Sequence, residues 1–485
     1  MITAKNIRLK YPGGERLFND LSFSCEKGEK ILLLGPSGCG KSTLLQVLSG
    51  LIPDAIDVPM IAEELQLPES WGYVFQDPDT QFCMPYVDEE LAFVLENLAI
   101  PRQFMDEKIL ELIQKVGLNL STPHTKINEL SGGMKQRLAI ASVLAMEPDV
   151  LFLDEPTAML DPQGTKELWD TMKKVSHDKT VIIVEHKLDH LLEFVDRVVI
   201  FQENGTIFAD GKTEEVFRTY KEKLKEYGVW YPGVWEEFAL NQPKTTDNSH
   251  SKKNVLISVN KLSGFRGKEV KIEIDRARIH EGEWITIVGD NGAGKSTLLE
   301  SLMGLLKTEG ECTVHSNNSN REDTVAFVFQ NPEFQFVTNA VSEEIAYTLN
   351  NQHIHELEIK EKVEQLLHEF HLKHVEKNHP FSLSTGQKRR LSVASSVVHE
   401  PQVLLLDEPT FGQDSKNTFS MLNRFRQLKE QGVSIVMITH DEHIVEHFAD
   451  TVWVVEDGVL TQQLSKEEYI SKQERREQHA MVIGS

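Results

Sequence analysis

The sequence of 485 residues has few of the features that mark membrane, secreted or metal-binding proteins. No run approaches the roughly 18 apolar residues that a membrane-spanning helix needs, and the start, Met1 to Asn6, is not an apolar leader. The four cysteines show no metal-ligand spacing, so we interpret them as reduced thiols. These absences predict a protein of the cytoplasm, held at a membrane only through partners.

Positive charge is also scarce. Asp and Glu total 75 against 51 Lys and Arg, a formal net charge of −24. Broad nucleic-acid binding needs a basic surface, so we expect no nucleic-acid partner. An apolar content of 40% and a charged content of 26% are typical of a globular protein. The chain is too long for a single core, which predicts two or more domains.

The sequence does contain a phosphate-binding loop. Residues 35–43 match the pattern GxxxxGK[ST], between the strand-like run Ile31–Leu34 and the amphipathic run Leu44–Leu48. Glycines let several backbone N–H groups face one anion, and the N-terminus of the following helix favours negative charge. Lys41 is expected to reach the β- and γ-phosphates, and Ser42 to ligate Mg²⁺. The alternative is a glycine-rich turn that precedes a lysine by chance.

The loop recurs 254 residues later, and every later landmark repeats at 253 or 254 residues, which indicates a tandem duplication. The predicted phosphate-binding residues are Gly35, Pro36, Ser37, Gly38, Cys39, Gly40, Lys41, Ser42 and Thr43 in the first half, and Gly289, Asp290, Asn291, Gly292, Ala293, Gly294, Lys295, Ser296 and Thr297 in the second. By the same reasoning as for Ser42, Ser296 is a predicted Mg²⁺ ligand.

Two further pairs of residues repeat around these loops. Tyr11 and Phe265 each lie 24 residues before the first loop glycine and are candidates to stack on adenine; the alternative is an ordinary strand aromatic. Gln76 and Gln330 each end a predicted strand before a proline turn. They are placed to reach a metal ion or an attacking water, the alternative being a plain strand-end glutamine.

Carboxylates follow a buried-looking run in each half. Asp154 and Glu155, like Asp407 and Glu408, come directly after four apolar residues. Such acids lie in the crevice at the carboxyl edge of a parallel sheet. The Asp residues suit Mg²⁺ through water, and the Glu residues suit a base that polarises the attacking water.

A histidine ends a later strand in each half, at His186 and His440. A lone histidine there would more often be structural, but the repeat favours a contact with the γ-phosphate. Ser131 and Ser384 each precede a predicted helix as its N-cap. Each is either a simple helix cap or part of a second anion site.

Together these motifs resemble the ATP-binding-cassette family. The phosphate loops resemble its Walker A motif, the acid-ended strands its Walker B motif, and 130–134 and 383–387 its LSGGQ signature. The resemblance departs at Met134 and Thr385, where the signature has Gln and Gly. It adds these predicted ATP contacts: Ser131, Gly132, Gly133, Ser384, Thr385, Gly386 and Gln387.

The resemblance implies an α/β protein with two tandem P-loop nucleotide-binding domains. Each would have a RecA-like α/β core, an antiparallel β-subdomain and a helical subdomain. It also implies an ATPase that uses Mg²⁺, in which the two cassettes form an intrachain pseudo-dimer with one ATP between each Walker A loop and the opposite signature. Because both halves keep the lysine, the acids and the histidine, we expect two hydrolytic sites of somewhat unequal rate.

The proline loops after Gln76 and Gln330 resemble those of energy-coupling-factor importers, in particular thiamine-precursor uptake systems with fused cassettes. The resemblance implies uptake of a micronutrient through a transmembrane coupling subunit and a small substrate-binding membrane subunit, with the chain peripheral at the cytoplasmic face. Alternatives are a sugar-importer ATPase, a soluble ribosome-acting tandem factor and a non-enzymatic ATP sensor.

We expect a first domain at 1–225, an aromatic segment and polar linker at 226–254, a second domain at 255–470 and a flexible tail at 471–485. The aromatics of the segment are expected to pack on the first domain: Tyr227, Trp230, Tyr231, Trp235 and Phe238.

Overall fold

The computed structural model describes residues 1–12, 14, 16–36, 38–158, 160–188, 190–240, 254–315, 321–350, 354–410 and 412–483, with side chains described to residue 475. Of the predicted features, Ser37 and the polar stretch 241–253 lie outside the described residues. The chain divides into two compact units. The first comprises Met1–Val234 with Gln413–Lys416, and the second Trp235–Gly412 with Asn417–Ser485.

The first unit contains a mostly parallel sheet, which over its described residues has the order β10-β9-β3-β8-β7-β6. Its strands are β3 (Lys30–Leu34), β6 (Trp71–Val74), β7 (Val150–Asp154), β8 (Thr180–Val184), β9 (Arg197–Phe201) and β10 (Ile207–Lys212). Only β10 runs antiparallel to its neighbour. The central strands are buried along their whole length because helices cover both faces of such a sheet. The five parallel strands, β3, β6, β7, β8 and β9, therefore end at one carboxyl edge.

The first unit also contains a separate antiparallel sheet, whose strands come partly before and partly after the first phosphate loop in sequence. It comprises β1 (Ile2–Lys10), β2 (Arg16–Cys25), β4 (Met60–Ile61) and β5 (Glu64–Gln66), with β1 pairing the other three. Its buried side chains share a core with the parallel sheet and the helix after the loop. This sheet is the β-subdomain that the resemblance implies.

The helices of the first unit are α1 (Lys41–Leu48), α2 (Leu51–Asp54), α3 (Val87–Asn97), α4 (Met105–Lys115), α5 (Gly132–Leu144), α6 (Pro162–Val175) and α7 (Thr213–Glu226). Helices α3, α4 and α5 contact one another, and α4 buries an apolar stripe of Met105, Ile109, Leu112 and Ile113. They form the helical subdomain.

The second unit repeats this plan in one mixed sheet, whose described strands have the order β14-β11-β12-β19-β18-β13-β17-β16-β15. They are β11 (Val255–Arg266), β12 (Glu269–His280), β13 (Trp284–Val288), β14 (Thr308–Val314), β15 (Val325–Val328), β16 (Val403–Asp407), β17 (Ser434–Ile438), β18 (Thr451–Glu456) and β19 (Val459–Ser465). A single pair, Glu273 with Val459, joins the antiparallel part to the parallel part.

The remaining helices are α8 (Val234–Leu240), α9 (Lys295–Met303), α10 (Arg321–Thr324), α11 (Val341–Asn350), α12 (Glu356–Glu369), α13 (Thr385–Val397), α14 (Ser415–Glu430), α15 (Glu442–Phe448) and α16 (Lys466–Ile483). Helix α16 continues through the predicted tail to Ile483, in line with the helix propensity of its Glu, Lys, Gln and Arg residues. The flexibility of 471–485 stays a prediction.

The expectation for the aromatic segment is wrong for Trp235 and Phe238. Tyr227 packs on Phe208 in the first unit, with ring centroids 5.7 Å apart. Trp235 and Phe238, on α8, instead contact Phe419 of the second unit at 4.9 and 4.2 Å. Apolar side chains bury wherever a complementary surface exists, and the segment carries no signal for which unit supplies it. The predicted boundaries near 225 and 254 stay predictions.

Candidate functional site

Each phosphate loop joins the end of a central strand to a helix. In the first unit β3 ends at Leu34 and α1 begins at Lys41, with Gly40 as its N-cap at φ 101°. A Cβ at Gly40 would lie 2.6 Å from the ring of Phe18, so both conformation and space require glycine there. Gly294 before α9 repeats this geometry at φ 104°. Both loops thus bring backbone N–H groups and a helix N-terminus together, as the sequence predicts.

The loop lysines lie inside these turns. Lys41 is 5% exposed, and its Nζ donates to the carbonyls of Gly35 and Pro36 at 2.8 and 2.9 Å. Lys295 makes the matching bonds to Gly289 and Asp290 at 2.7 and 2.8 Å. The ammonium group is therefore held over the loop, where a phosphate oxygen would meet it.

The Walker B aspartates contact the loop serines. Asp154 ends β7 and accepts hydrogen bonds from Ser42 Oγ at 2.7 Å and from the Tyr73 hydroxyl at 2.9 Å. Burial raises the pKa of Asp154, while the bonds from Ser42 and Tyr73 oppose that shift. Two of the three predicted Mg²⁺ ligands of this half, Ser42 and Asp154, thus lie side by side.

In the second unit, burial raises the pKa of Asp407 to about 6, although Ser296 donates a hydrogen bond to it. Oδ1 of Asp407 is buried and has no hydrogen-bond partner among the described residues. An orphaned carboxylate oxygen beside a serine hydroxyl is a donor set that suits a hard cation such as Mg²⁺. The residues present therefore fit the Mg²⁺ of an Mg-ATP site.

The glutamates after these aspartates adopt a left-handed backbone, with φ 46° at Glu155 and 48° at Glu408. The conformation is uncommon for residues other than glycine, and such residues often occur at functional sites. This backbone conformation turns the Glu155 side chain away from the direction of the strand. The Glu155 N–H still donates to Val184 O of β8 at 2.9 Å. The strand end therefore presents Asp154 and Glu155 in different directions.

Glu155 joins the predicted glutamine and histidine. Gln76 Nε2 donates to Glu155 Oε2 at 2.9 Å, and His186 Nε2 lies 3.2 Å from Oε1. Burial would raise the pKa of Glu155, but the hydrogen bond and charge of His186, with the charge of Lys41, hold that pKa below its ordinary value. A charged carboxylate at neutral pH can accept a proton from water.

The second copy has an arginine beside its glutamine. His440 Nε2 lies 3.4 Å from Glu408 Oε1, as in the first copy. The backbone carbonyl of Gln330, however, accepts from the buried guanidinium of Arg389 on α13. Burial lowers the pKa of Arg389 to about 10, against the charges of Glu408 and Asp407. The sequence has Gln136 at the corresponding position of the first half, and we did not identify this difference from sequence.

Glu185 is a second residue that the motif analysis missed. It is 2% exposed, and its Oε1 accepts from Thr157 N at 2.8 Å and Thr157 Oγ1 at 2.6 Å. Its Oε2 accepts from the backbone N–H of His186 at 3.0 Å. The second half has Thr439 at this position. The two halves therefore differ at this position, with a carboxylate in the first and a hydroxyl in the second. Aligning one half of the sequence with the other would detect this difference.

The signature residues lie at helix starts within their own units. Ser131 Oγ accepts from Met134 N and caps α5, whose first residues are Gly132 and Gly133. Ser384 caps α13 in the same way, before Thr385 and Gly386. In α13 Gln387 Oε1 also accepts from Ser384 N at 3.0 Å, which completes a capping box. Met134 has no side-chain acceptor with which to do this.

The two predicted adenine-stacking aromatics are not equivalent. The Tyr11 hydroxyl lies 3.1 Å from Thr43 Oγ1. In the second unit Arg266 donates to Thr297 Oγ1 at 3.2 Å instead, and the ring of Phe265 lies under Lys307 at 5.0 Å. Stacking on adenine stays a prediction for both.

A family model described as "ABC transporter" matches residues 18–158 and 272–411. The "Putative HMP/thiamine import ATP-binding protein YkoD" of Bacillus subtilis (strain 168) is 37% identical over 95% of this chain and 90% of the relative. A "Putative ABC transporter ATP-binding protein" of Methanosarcina mazei is 33% identical over 98% of this chain and 90% of the relative.

Among solved structures, the complex of an archaeal ribosomal stalk protein with the ribosome recycling factor aABCE1 matches with TM-score 0.66 and 21% identity, over 96% of this chain and 91% of that one. The structure named "RNase-L Inhibitor" matches with TM-score 0.64 and 20% identity, over 96% and 92%. At such identity these matches show the fold. The family model and the sequence relatives show that the chain belongs to the ABC transporter family, as an ABC ATP-binding protein with ATPase activity.

Proposed function

We propose that this ATPase is the motor subunit of an importer of the energy-coupling-factor type, which couples ATP hydrolysis to uptake of a micronutrient. The observation that carries the proposal is the similarity over 95% of the chain to a relative named for HMP/thiamine import. Both halves also retain the loop lysine, the acid pair and the histidine.

The catalytic roles we propose follow from the contacts within each unit. Lys41 and Lys295 bind the β- and γ-phosphates, where the loop carbonyls already hold their ammonium groups. Glu155 and Glu408 accept a proton from the attacking water, and His186 and His440 orient those carboxylates and contact the γ-phosphate.

Mg²⁺ supplies charge neutralisation to the bound triphosphate. Its proposed ligands are Ser42, Gln76 and Asp154 in the first half, with Ser296, Gln330 and Asp407 in the second. The bond from Gln76 to Glu155 means that this glutamine can align the carboxylate as well.

Two composite ATP sites are part of the proposal, formed as the family resemblance implies. One would join the first half's loop to Ser384, Thr385, Gly386 and Gln387, and the other would join the second half's loop to Ser131, Gly132 and Gly133. Two helix N-termini and a lysine would then surround each triphosphate. ATP would draw the cassettes together, and hydrolysis would release them.

We propose a transmembrane coupling subunit and a small substrate-binding membrane subunit as partners, at the cytoplasmic face of the membrane. Within the described chain, none of the helices has the length and apolar character required to span a bilayer. The proline loops that follow Gln76 and Gln330 are the proposed sensors of the coupling subunit. Gln76, which precedes the first loop, bonds the proposed base Glu155, and Gln330, which precedes the second, bonds Arg389.

The test is co-purification of the chain from detergent-solubilised membranes of its own organism, at physiological salt. The proposal expects one polytopic protein and one small membrane protein with the ATPase. Recovery with ribosomal subunits, or with the membrane subunits of a sugar importer, would overturn it in favour of one of the alternatives.

A further inference from the structure

Three potential metal ligands lie together on α15, outside the ATP site. His443, Glu446 and His447 occupy positions i, i+3 and i+4, which share one face of a helix. One ligand atom from each lies within 4.8 Å of the others, and His443 Nδ1 is 3.9 Å from Glu446 Oε2. Asp441 Oδ1 accepts from His443 N at 2.9 Å, which fixes the start of the helix.

Packing holds the two imidazole rings on this face. The rings of His443 and His447 are within 6° of parallel, with centroids 6.3 Å apart. The indole of Trp235 stacks on both, at 5.2 and 6.0 Å and 21° in each case. Rings that are already ordered lose less rotamer freedom when they bind an ion.

Two of the three side chains are open to solvent. His443 and Glu446 are 47% and 58% exposed, which leaves room for water to complete the coordination.

We propose that His443, Glu446 and His447 form a binding site for one divalent first-row transition metal ion, with Zn²⁺ as its representative. Two imidazoles and one carboxylate suit Zn²⁺, Ni²⁺ or Cu²⁺, whereas Mg²⁺ and Ca²⁺ require mostly oxygen ligands. The site belongs to the second half alone, because 254 residues earlier the sequence has Asp189, Leu192 and Glu193.

The site is distinct from that of Mg-ATP but close to it in sequence. His440, which lies 3.4 Å from Glu408, precedes α15 by two residues. A metal ion held across one turn of α15 would therefore stiffen the helix that follows this histidine. The proposal itself concerns binding, and it does not depend on the importer function.

The test is Zn²⁺ binding by the untagged full-length chain, in competition with a chromophoric chelator and with Mg²⁺ present in excess. We expect one Zn²⁺ whose affinity falls at least about tenfold in His443→Ala and in His447→Ala. The matched control is His368→Ala, which removes an exposed helical histidine that also contacts a glutamate four residues away, Glu364. Its affinity should equal that of the wild type.

Two further measurements keep the result interpretable. Circular dichroism establishes that the alanine variants are folded, and Glu446→Gln gives a third variant whose fold should be least perturbed because the side chain is exposed. Co²⁺ titration should give absorption bands from imidazole-bound metal in the wild type and in His368→Ala, and not in His447→Ala. Equal Zn²⁺ affinity in the wild type and both histidine variants would overturn the proposal.

Discussion

The buried carboxylate of Glu185 accepts hydrogen bonds from both the hydroxyl and the backbone N–H of Thr157, at 2.6 and 2.8 Å. Thr157 follows Glu155 by two residues, and Glu185 also accepts from the N–H of His186. One side chain thus ties together the two strand ends that carry the proposed base and its histidine. At the corresponding position of the second half, the Thr439 hydroxyl instead accepts a hydrogen bond from Asp441 N within its own turn, at 3.1 Å.

Replacing Glu185 by Thr, the residue of the second half, should slow ATP turnover with little change in the KM for ATP. Hydrogen bonds to a charged group are worth about 1.5–3 kcal/mol each, so loss of alignment should reduce kcat by roughly tenfold or more. Steady-state phosphate release measures both constants. Glu185→Gln keeps one acceptor oxygen and should recover part of the loss.

The control for that experiment is Thr439→Ser, which keeps the hydroxyl that Asp441 N contacts and should leave turnover unchanged. A wild-type kcat in Glu185→Thr would show that the tie between Thr157 and His186 is dispensable. A loss confined to KM would assign the residue to nucleotide binding instead.

Glu185 should also make stability depend on pH. Burial raises its pKa above 4.5, with the charge of Glu155 acting in the same direction and the bonds from Thr157 opposing it. The folded state therefore holds this proton more tightly than the unfolded state. Its stabilising contribution is complete below about pH 4.5 and is lost as pH rises through the folded-state pKa.

The Glu185→Gln variant lacks this titration. The difference between its thermal unfolding midpoint and that of the wild type, variant minus wild type, should therefore increase from pH 5 to pH 8. The cost of placing an amide N–H against the N–H of His186 is the same at both pH values and cancels in the comparison. A difference that stays constant or falls between pH 5 and pH 8 would contradict the pKa shift.

Glu155→Gln and Glu408→Gln should each reduce ATP turnover strongly while leaving nucleotide binding intact. A positioned general base contributes roughly 10²–10⁴-fold, and the amide cannot accept the proton. The bonding of Gln76 and the closeness of His186 and His440 place both carboxylates where this role is possible. Turnover at saturating Mg-ATP and binding of a fluorescent ATP analogue separate the two effects.

Glu111→Gln, on the exposed side of α4, is the matched control and should behave as the wild type. Unequal residual rates in the two Gln variants would fit the differences at Glu185 and Arg389. Wild-type turnover in both variants would exclude these glutamates as bases.

Short-range patterns were enough to predict the local structure around the proposed site. The loops at Lys41 and Lys295, the caps at Ser131 and Ser384, and the acids that end β7 and β16 each depend on a few consecutive residues. Strand ends in a parallel sheet meet at one edge, which brings Glu155 into contact with Gln76 and His186, although these contacts were not themselves predicted.

What could not be predicted depends on contacts between residues distant in sequence. The packing of Trp235 on Phe419 and the bond from Arg389 to Gln330 join segments that carry no mutual signal. Glu185 was not predicted for another reason. It directly precedes His186, and the strand-end motif was interpreted through its histidine alone. Comparison of the two halves position by position, rather than motif by motif, would have revealed both Glu185 and Arg389.

Cysteine reactivity tests the burial of the first phosphate loop. Cys39 is 1% exposed, and burial raises its pKa although the charge of Lys41 opposes the shift. Cys83 is exposed. Because thiolates react and thiols do not, a maleimide at pH 7 should label Cys83 at least about tenfold faster than Cys39. Peptide mass spectrometry of timed samples measures both rates in one protein.

Cys83→Ser supplies the control, since labelling of its Cys39 should be slow until denaturant is added. Fast labelling of Cys39 in the folded Cys83→Ser chain would mean that the loop opens readily, and that the hydrogen bonds from Lys41 to Gly35 and Pro36 do not hold it closed. Slow labelling in the native chain and fast labelling after unfolding would instead support a loop that is formed before nucleotide arrives, since the assay contains none.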